Sequence, residues 1–239
     1  MKLAILTDSS ANFTQEFIKQ QPKLFVLPLM IIINQKNYRD QIEISTSEVY
    51  SQLDEHRIST SLPSPKDVED VFQTMKKEGY TDVLCIPVSS GLSGTYNYLN
   101  LYAQEDRGIN IHLFDSKSLA GGQGQLVEYA LELAKRELSV EEMKEKLTKT
   151  RFHHTLAFFT TQTLKYLKRG GRIGKVEATI GDVLHIRPII TIGDDGIFVT
   201  LSKAFGLQRA VVQMYKLLKE KFDNRLIDLT IHYGSDPEK

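Results

Sequence analysis

The chain has 239 residues, of which 41% are hydrophobic, so it is long and apolar enough for one large α/β domain or two smaller ones. Its 30 basic and 30 acidic residues balance to zero net charge. The chain therefore lacks the positive field that draws proteins onto nucleic acid, and we expect no nucleic-acid partner. The single cysteine, Cys85, excludes an intramolecular disulfide and a cysteine-rich zinc site, and the absence of a signal-peptide pattern predicts a cytoplasmic protein.

Short apolar runs rich in β-branched residues alternate with longer amphipathic patterns, which is typical of α/β proteins. The first run, Lys2 to Thr7, stops at Asp8-Ser9-Ser10, residues that favour turns and helix starts. The longest run, residues 24–33, is interrupted by Pro28 and is about half the length of a membrane-spanning helix. It predicts a buried strand or strand pair and no integral membrane segment. Further strands are predicted at Asp82 to Val88, Asn110 to Phe114, Leu156 to Phe159, Arg187 to Ile192 and Leu226 to His232.

Caps and spacing locate the helices. Ser64-Pro65, followed by apolar residues at helical spacing, predicts a helix that ends near Gly79. A capping box at Ser139 predicts another helix, and residues 119–137 before it are also helical in pattern. Turn residues 193–196 predict a β-hairpin.

Two successive helices without an intervening strand interrupt the α/β alternation and predict a domain boundary near residues 150–154. We therefore predict an N-terminal α/β domain with a parallel sheet, residues 1–152, and a C-terminal α+β domain, residues 153–239.

Two hydroxyl-rich segments are candidate sites. Residues 87–96 (PVSSGLSGTY) follow a predicted strand and open a helix, where free N–H groups and serine hydroxyls can bind a carboxylate or phosphate. Residues 60–64 (TSLPS) precede the next candidate helix start. In each case the alternative is plain capping and turn chemistry, in which Ser93 only caps a helix.

Three motifs resemble catalytic or nucleotide-binding signatures. Residues 91–95 (GLSGT) approach the G-x-S-x-G nucleophile elbow, but Thr95 replaces its last glycine. Residues 122–127 lack the third glycine of a dinucleotide fingerprint, and residues 170–176 (GGRIGKV) lack the spacing of a phosphate-binding loop. The adjacent His153 and His154 would face opposite sides of a strand, so no metal site is predicted.

Together the segments resemble the DegV family of bacterial fatty-acid-binding proteins. The resemblance rests on residues 7–11 (TDSSA), 60–64 (TSLPS), 89–97 (SSGLSGTYN) and 168–173 (KRGGRI), in that order. It implies two domains with one long-chain fatty acid in a pocket between them, its carboxylate near the serine and threonine motifs and its tail in an apolar tunnel. Family members present the carboxylate to a separate ATP-dependent fatty acid kinase, which makes acyl phosphate for phospholipid synthesis.

Carried onto this sequence, the resemblance implies that Thr60 and Ser93 donate to the carboxylate, with Ser61 and the Gly94 N–H beside them. Arg169 and Arg172 would face the kinase, steering docking or stabilising phosphoryl charge; taken alone, these cations only compensate a helix C-terminus. The fatty acid is the ligand, and no catalytic residue, metal or cofactor is implied.

Two features depart from the family pattern. Asn12 stands where the first motif commonly continues with Asp, which leaves the turn chemistry intact. Related chains run on after a segment like residues 231–234 to a histidine and glycine-rich motif that closes the pocket. No such motif occurs here, so we expect an incomplete second domain and assign no role to His232. Two other functions stay open: a serine hydrolase acting on acyl esters with Ser93 as nucleophile, and a small-molecule sensor without a kinase partner.

Overall fold

The computed structural model describes residues 2–136, 138–176, 186–223 and 225–234. The strands in these ranges are β1 (Leu3–Asp8), β2 (Leu24–Leu27), β3 (Met30–Ile33), β4 (Lys36–Arg39), β5 (Ile58–Ser61), β6 (Asp82–Cys85), β7 (Asn110–Leu113), β8 (Phe158–Thr160), β9 (Ile186–Ile192) and β10 (Phe198–Phe205). The α-helices are α1 (Gln15–Gln20), α2 (Thr46–Gln52), α3 (Pro65–Lys77), α4 (Thr95–Tyr102), α5 (Ala120–Leu133), α6 (Val140–Lys149), α7 (Lys165–Arg169) and α8 (Leu207–Phe222).

A four-stranded parallel sheet in the order β2-β1-β6-β7 forms the centre of the first part of the chain. Every residue of β1 and β6 is buried, because helices cover both faces of the sheet, and such strands read as continuous apolar runs. The predicted α/β class with a parallel sheet is confirmed. All four strands run the same way, so the loops that follow them gather at one edge, where ligands bind in open α/β sheets.

Alternate side chains of the strands supply two apolar layers. Ile5 and Leu84 pack on one face against α5 and α6, whereas Leu6 and Cys85 pack on the other against α3 and α4. Helix α3 begins as predicted, because the Ser64 hydroxyl accepts a 3.0 Å hydrogen bond from the Asp67 N–H. The predicted capping box at Ser139 also forms and starts α6.

Two antiparallel sheets complete the described fold, in the orders β4-β3-β5 and β10-β9-β8. The apolar run 24–33 is a strand pair, as one alternative predicted, and its halves β2 and β3 enter different sheets. Residues 193–196 form the predicted turn between β9 and β10, and Gly196 adopts the left-handed conformation there (φ 84°).

The predicted strand at Leu226 to His232 is wrong. Residues 225–234 have no regular secondary structure, and Leu226 and Ile231 are exposed. The segment runs past α5, where the Gln125 side-chain amide donates to the Asp228 carbonyl at 3.1 Å. An apolar run becomes a strand only where a neighbouring strand accepts its backbone hydrogen bonds, and no described strand pairs with this segment.

The predicted boundary between residues 152 and 153 falls in a π-helical turn, Thr150–His154, which continues α6. Arg151 in this turn donates from Nε to the Lys117 carbonyl at 2.8 Å and from Nη2 to the Ile192 carbonyl at 3.1 Å. It therefore joins the parallel-sheet part of the chain to the β9-β10 hairpin. The division into domains stays a prediction. Within the described ranges, no helix is both long and apolar enough to cross a bilayer.

The central strand β6 provides a test of the core. Leu84 is fully buried, whereas Leu101 on α4 is 63% exposed. We expect Leu84→Ala to lower the free energy of unfolding by about 2–5 kcal/mol, because it removes buried methyl groups and leaves a cavity. The same change at Leu101 should shift it by no more than about 0.5 kcal/mol. Urea unfolding of both variants measures the difference, and equal losses would contradict this packing.

Candidate ligand-binding site

The loop that follows β6 is held from both neighbouring strands. On one side, the Asp8 carboxylate at the end of β1 accepts a 2.8 Å hydrogen bond from the Val88 N–H. On the other side, the Asp115 carboxylate, just after β7, accepts a 3.1 Å hydrogen bond from the Ser90 N–H. Since β6 lies between β1 and β7 in the sheet, these bonds fix the loop at the carboxyl edge.

Asp8 is completely buried. Burial raises its pKa above the ordinary value, although hydrogen bonds from Ser10, Val88 and Gln123 oppose the shift. The Gln123 side-chain amide also donates to the Thr7 hydroxyl at 2.9 Å. This network connects the end of β1, the loop after β6 and the first turns of α5 without a cation.

Asp115 has a different environment. Burial acts to raise its pKa, but hydrogen bonds from Ser90 and Lys117 outweigh that effect and hold the pKa below its usual value. The Lys117 ammonium lies 2.9 Å from the Asp115 carboxylate and donates to the Ser90 hydroxyl at 3.0 Å. It also lies 3.4 Å from the Asp195 carbonyl in the β9-β10 turn. Asp115 is therefore an ionised, paired group, and its partner Lys117 links the loop to the hairpin.

The hairpin turn also meets the loop directly, backbone against backbone. The Ser89 hydroxyl donates to the Gly196 carbonyl at 2.7 Å. A Cβ added at Gly91 would lie 2.6 Å from that same carbonyl oxygen, and one added at Gly196 would overlap the Ser89 hydroxyl. Both positions thus need glycine for the turn to approach this closely.

Ser93 lies where the loop turns into α4. The Leu92 and Ser93 N–H groups both donate to the Ser89 carbonyl, at 2.9 and 3.1 Å. Helix α4 begins at Thr95 with Gly94 as its cap residue and no side-chain cap, so Ser93 is not the N-cap. The half-buried Ser93 hydroxyl lies 2.9 Å from the hydroxyl of buried Thr95. The first N–H groups of a helix lack partners inside it, and here they lie next to this hydroxyl pair.

The second hydroxyl segment reaches the same place. Thr60 and Ser61 are exposed at the end of edge strand β5, and a Cβ at Gly94 would lie 3.4 Å from the Leu62 side chain that follows them. Thr60 pairs with Ile31 on β3 and therefore shares its face of the sheet. Because successive strand residues face opposite sides, the Ser61 side chain points away from that face.

The two arginines of the basic turn have different surroundings. Arg169, the last residue of α7, is exposed. Arg172 is half-buried and donates from Nε to the Leu92 carbonyl at 3.1 Å. The structure thus brings Arg172, but not Arg169, into contact with the loop that carries Ser93.

Sequence reasoning missed Asp115, Lys117, Gln123 and Arg151 as parts of this arrangement. Asp115 carried one usable signal, since it follows a predicted strand as Asp8 does. Gln123 carried none, because its partners Thr7 and Asp8 lie more than a hundred residues away in the chain.

Neither of two open surface grooves coincides with these loops. One, of about 480 Å³, lies along α6 near Glu141 and His153; the other, of about 430 Å³, lies between β10 and α8 near Phe205 and Val212. The acyl tunnel therefore stays a prediction. Among the described residues, no cluster of His, Cys, Asp and Glu is suited to hold a metal ion.

Fold and loops define a class: an α/β protein with a parallel sheet covered on both faces, whose carboxyl-edge loops offer hydroxyl and N–H donors. The sequence profile of the DegV family, a family of uncharacterised proteins, matches residues 2–239. The chain belongs to the DegV family.

Curated relatives and solved structures agree with this assignment. A DegV domain-containing protein of Clostridium perfringens is 38% identical over all of this chain and 84% of its own length. A DegV domain-containing protein of Clostridium acetobutylicum is 36% identical over 98% of this chain and 82% of its own length. A Thermus thermophilus DegV family protein, described for its fatty acid binding, has a TM-score of 0.84 at 29% identity, over 94% of this chain and 79% of its own. Bacillus subtilis DegV, described as a fatty acid binding protein, has a TM-score of 0.82 at 27% identity, over 93% of this chain and 79% of its own.

The contact between hairpin and loop predicts a difference between two glycines. Gly196 and Gly206 both have a positive φ, 84° and 77°, but nothing lies within 4 Å of a Cβ at Gly206. Gly206→Ala should cost only the backbone strain, about 1–3 kcal/mol, because its φ of 77° and ψ of 165° lie in a region that only glycine adopts readily. Gly196→Ala should cost about 1–3 kcal/mol more, since its methyl group displaces Ser89. Urea unfolding compares them, and indistinguishable midpoints would argue against the contact.

Proposed function

We propose that this protein binds one long-chain fatty acid and presents its carboxylate to a separate ATP-dependent kinase. The observation that carries the proposal is the approach of two hydroxyl segments at the start of α4, where a Cβ at Gly94 would lie 3.4 Å from the Leu62 side chain. Thr60, Ser93 and the Gly94 N–H are the proposed carboxylate donors, with Ser61 contributing through its backbone. Each hydrogen bond to a carboxylate is worth about 1.5–3 kcal/mol, so a few neutral donors suffice to hold it.

The acyl tail needs an apolar path next to these donors. Leu92, beside Ser93, packs in a cluster with Leu119, Leu164 and Leu167, all of which are only partly buried. These side chains join the first part of the chain to the β8-β9-β10 sheet, and the resemblance implies a ligand pocket between two domains. Each buried methylene contributes about 0.8 kcal/mol, so a saturated tail gains on the order of 10 kcal/mol before the loss of ligand freedom.

Solved relatives support a fatty acid as the ligand. Besides the Thermus and Bacillus proteins, an Eubacterium ventriosum structure with a TM-score of 0.81 at 27% identity, over 92% of this chain and 77% of its own, is described as a stearic acid-binding protein. By contrast, a serine hydrolase requires a histidine base within reach of its nucleophile. The hydrogen bonds of the Ser93 hydroxyl in the described structure go to Thr95. In the proposed function, the protein is a carrier without catalytic machinery of its own.

The proposed kinase contact is the exposed end of α7. Lys165 and Tyr166 anchor this helix to Asp54, at 3.1 and 2.7 Å, and Arg169 ends it. An exposed cation at the end of an anchored helix is suited to steer an anionic, nucleotide-bearing partner. The ATP-dependent partner implies that the protein works in the cytoplasm.

The head-group donors are tested by measuring binding of a labelled fatty acid. Thr60→Ala and Ser93→Ala should each weaken binding by at least about tenfold, because each removes a donor to a charged group. Ser59→Ala, on the opposite face of β5, is the matched control and should bind as the wild type does. Native mass spectrometry of the wild type should show a co-purifying fatty acid.

Undiminished binding by the Thr60→Ala, Ser93→Ala double variant would show that the donors are wrong. A wild type that never carries or binds a fatty acid would reject the function itself. A fluorophosphonate probe that labels Ser93 would favour the hydrolase.

The kinase contact is tested by charge reversal at Arg169. Arg169→Glu should lower the rate at which the ATP-dependent fatty acid kinase forms acyl phosphate by about tenfold or more, since it replaces an attractive charge by a repulsive one. The fatty acid affinity of the variant is measured in parallel. A loss of transfer no greater than the loss of affinity would contradict a role in docking.

A further inference from the structure

One peptide unit next to Ser93 is held at both ends. Its N–H, which belongs to Ser93, donates to the Ser89 carbonyl at 3.1 Å. Its carbonyl, which belongs to Leu92, accepts the Arg172 Nε hydrogen bond at 3.1 Å. Because a peptide unit is planar, fixing both groups fixes the orientation in which the chain enters Ser93.

Arg172 is itself firmly supported. Its Nη1 donates to the Gly170 carbonyl at 2.6 Å, and its backbone N–H donates to the Leu167 carbonyl at 3.0 Å. Gly171 allows the tight turn through its left-handed backbone (φ 71°). Ile173 then packs in the same apolar cluster as Leu92. The guanidinium therefore reaches the loop from a turn that is anchored on both sides.

The bond to Leu92 requires a donor at one position and no charge at all. Its acceptor is a neutral carbonyl, and the donor atom is Nε rather than the end of the guanidinium. A residue that serves a partner through its charge would instead present its terminal nitrogens to solvent, as exposed Arg169 is free to do.

We propose that Arg172 is a positioning residue: it orients the Leu92–Ser93 peptide and, through it, the Ser93 hydroxyl that receives the ligand carboxylate. The inference rests on the proposed function, because it assigns Arg172 a part in the same head-group site. It changes the sequence-based expectation for Arg172, which was a contact with the kinase.

The positions of the nitrogen atoms along the side chains of arginine, glutamine and lysine define variants that separate the hydrogen bond from the charge. In glutamine, the amide nitrogen follows Cδ, as Nε does in arginine, so Arg172→Gln keeps a donor at the same place and removes the charge. In lysine that place is a carbon, so Arg172→Lys keeps the charge and removes the donor. Arg172→Ala removes both. Arg209→Ala, an exposed arginine on α8, is the control.

Affinities for palmitate and for the matching alcohol, hexadecanol, are measured on each variant, with thermal unfolding in parallel. We expect Arg172→Ala and Arg172→Lys to bind palmitate about tenfold more weakly, as loss of one hydrogen bond predicts, while hexadecanol binding changes by less than about twofold. Arg172→Gln should restore palmitate binding, and Arg209→Ala should bind both ligands as the wild type does.

Wild-type palmitate binding in Arg172→Lys, or its loss in Arg172→Gln, would overturn the inference in favour of a charge role. A parallel loss of palmitate and hexadecanol would reduce Arg172 to a structural residue. Failure of the wild type to bind palmitate would reject the proposed function instead. Both long polar variants retain the packing of the arginine stem, so the comparison stands even where the alanine variant unfolds.

Discussion

The hydrogen bond from the Val88 N–H to the buried Asp8 carboxylate is the constraint on which the candidate site depends. It attaches the loop after β6 to the end of β1, and the strand order lets Asp115 hold the same loop from the side of β7. Removing the Asp8 carboxylate would leave the buried Val88 N–H without a partner, which costs about 1–3 kcal/mol. The loop therefore has a defined shape before any ligand arrives, and its donors need little reordering to meet a carboxylate.

The two carboxylates that bind the loop differ in the charge of their partners, and this difference matters for the proposed anionic ligand. Asp8 is satisfied by neutral donors, whereas Asp115 is paired with Lys117. The positive charge of Lys117 is thus largely balanced within the scaffold. Hydroxyls and N–H groups are the donors that we propose for the ligand, which agrees with the zero net charge of the chain.

Strong local signals made part of this structure predictable. The capped helix α3, the capping box of α6 and the β9-β10 turn each rest on neighbouring residues. The site role of Ser93 and Thr60 stays a prediction. Strands β4 and β5 were not predicted, because their residues are largely polar and exposed. The strand prediction at Leu226 to His232 was wrong because the local sequence pattern does not show whether a neighbouring strand is present to pair with it. The contact of Arg172 with Leu92 spans 80 residues, and only the fold brings them together.

The close approach of Gly91 and Gly196 has a consequence for how the chain can be recombined. At Gly91 and Gly196, a loop from the first part of the chain and a turn from the second approach each other backbone to backbone. The backbones of the loop and of the turn are therefore complementary in shape. A change in either backbone could not be compensated by repacking of side chains. A chimera that takes its hairpin from another protein would keep the head-group loop intact only if the grafted turn also brings a glycine to this position.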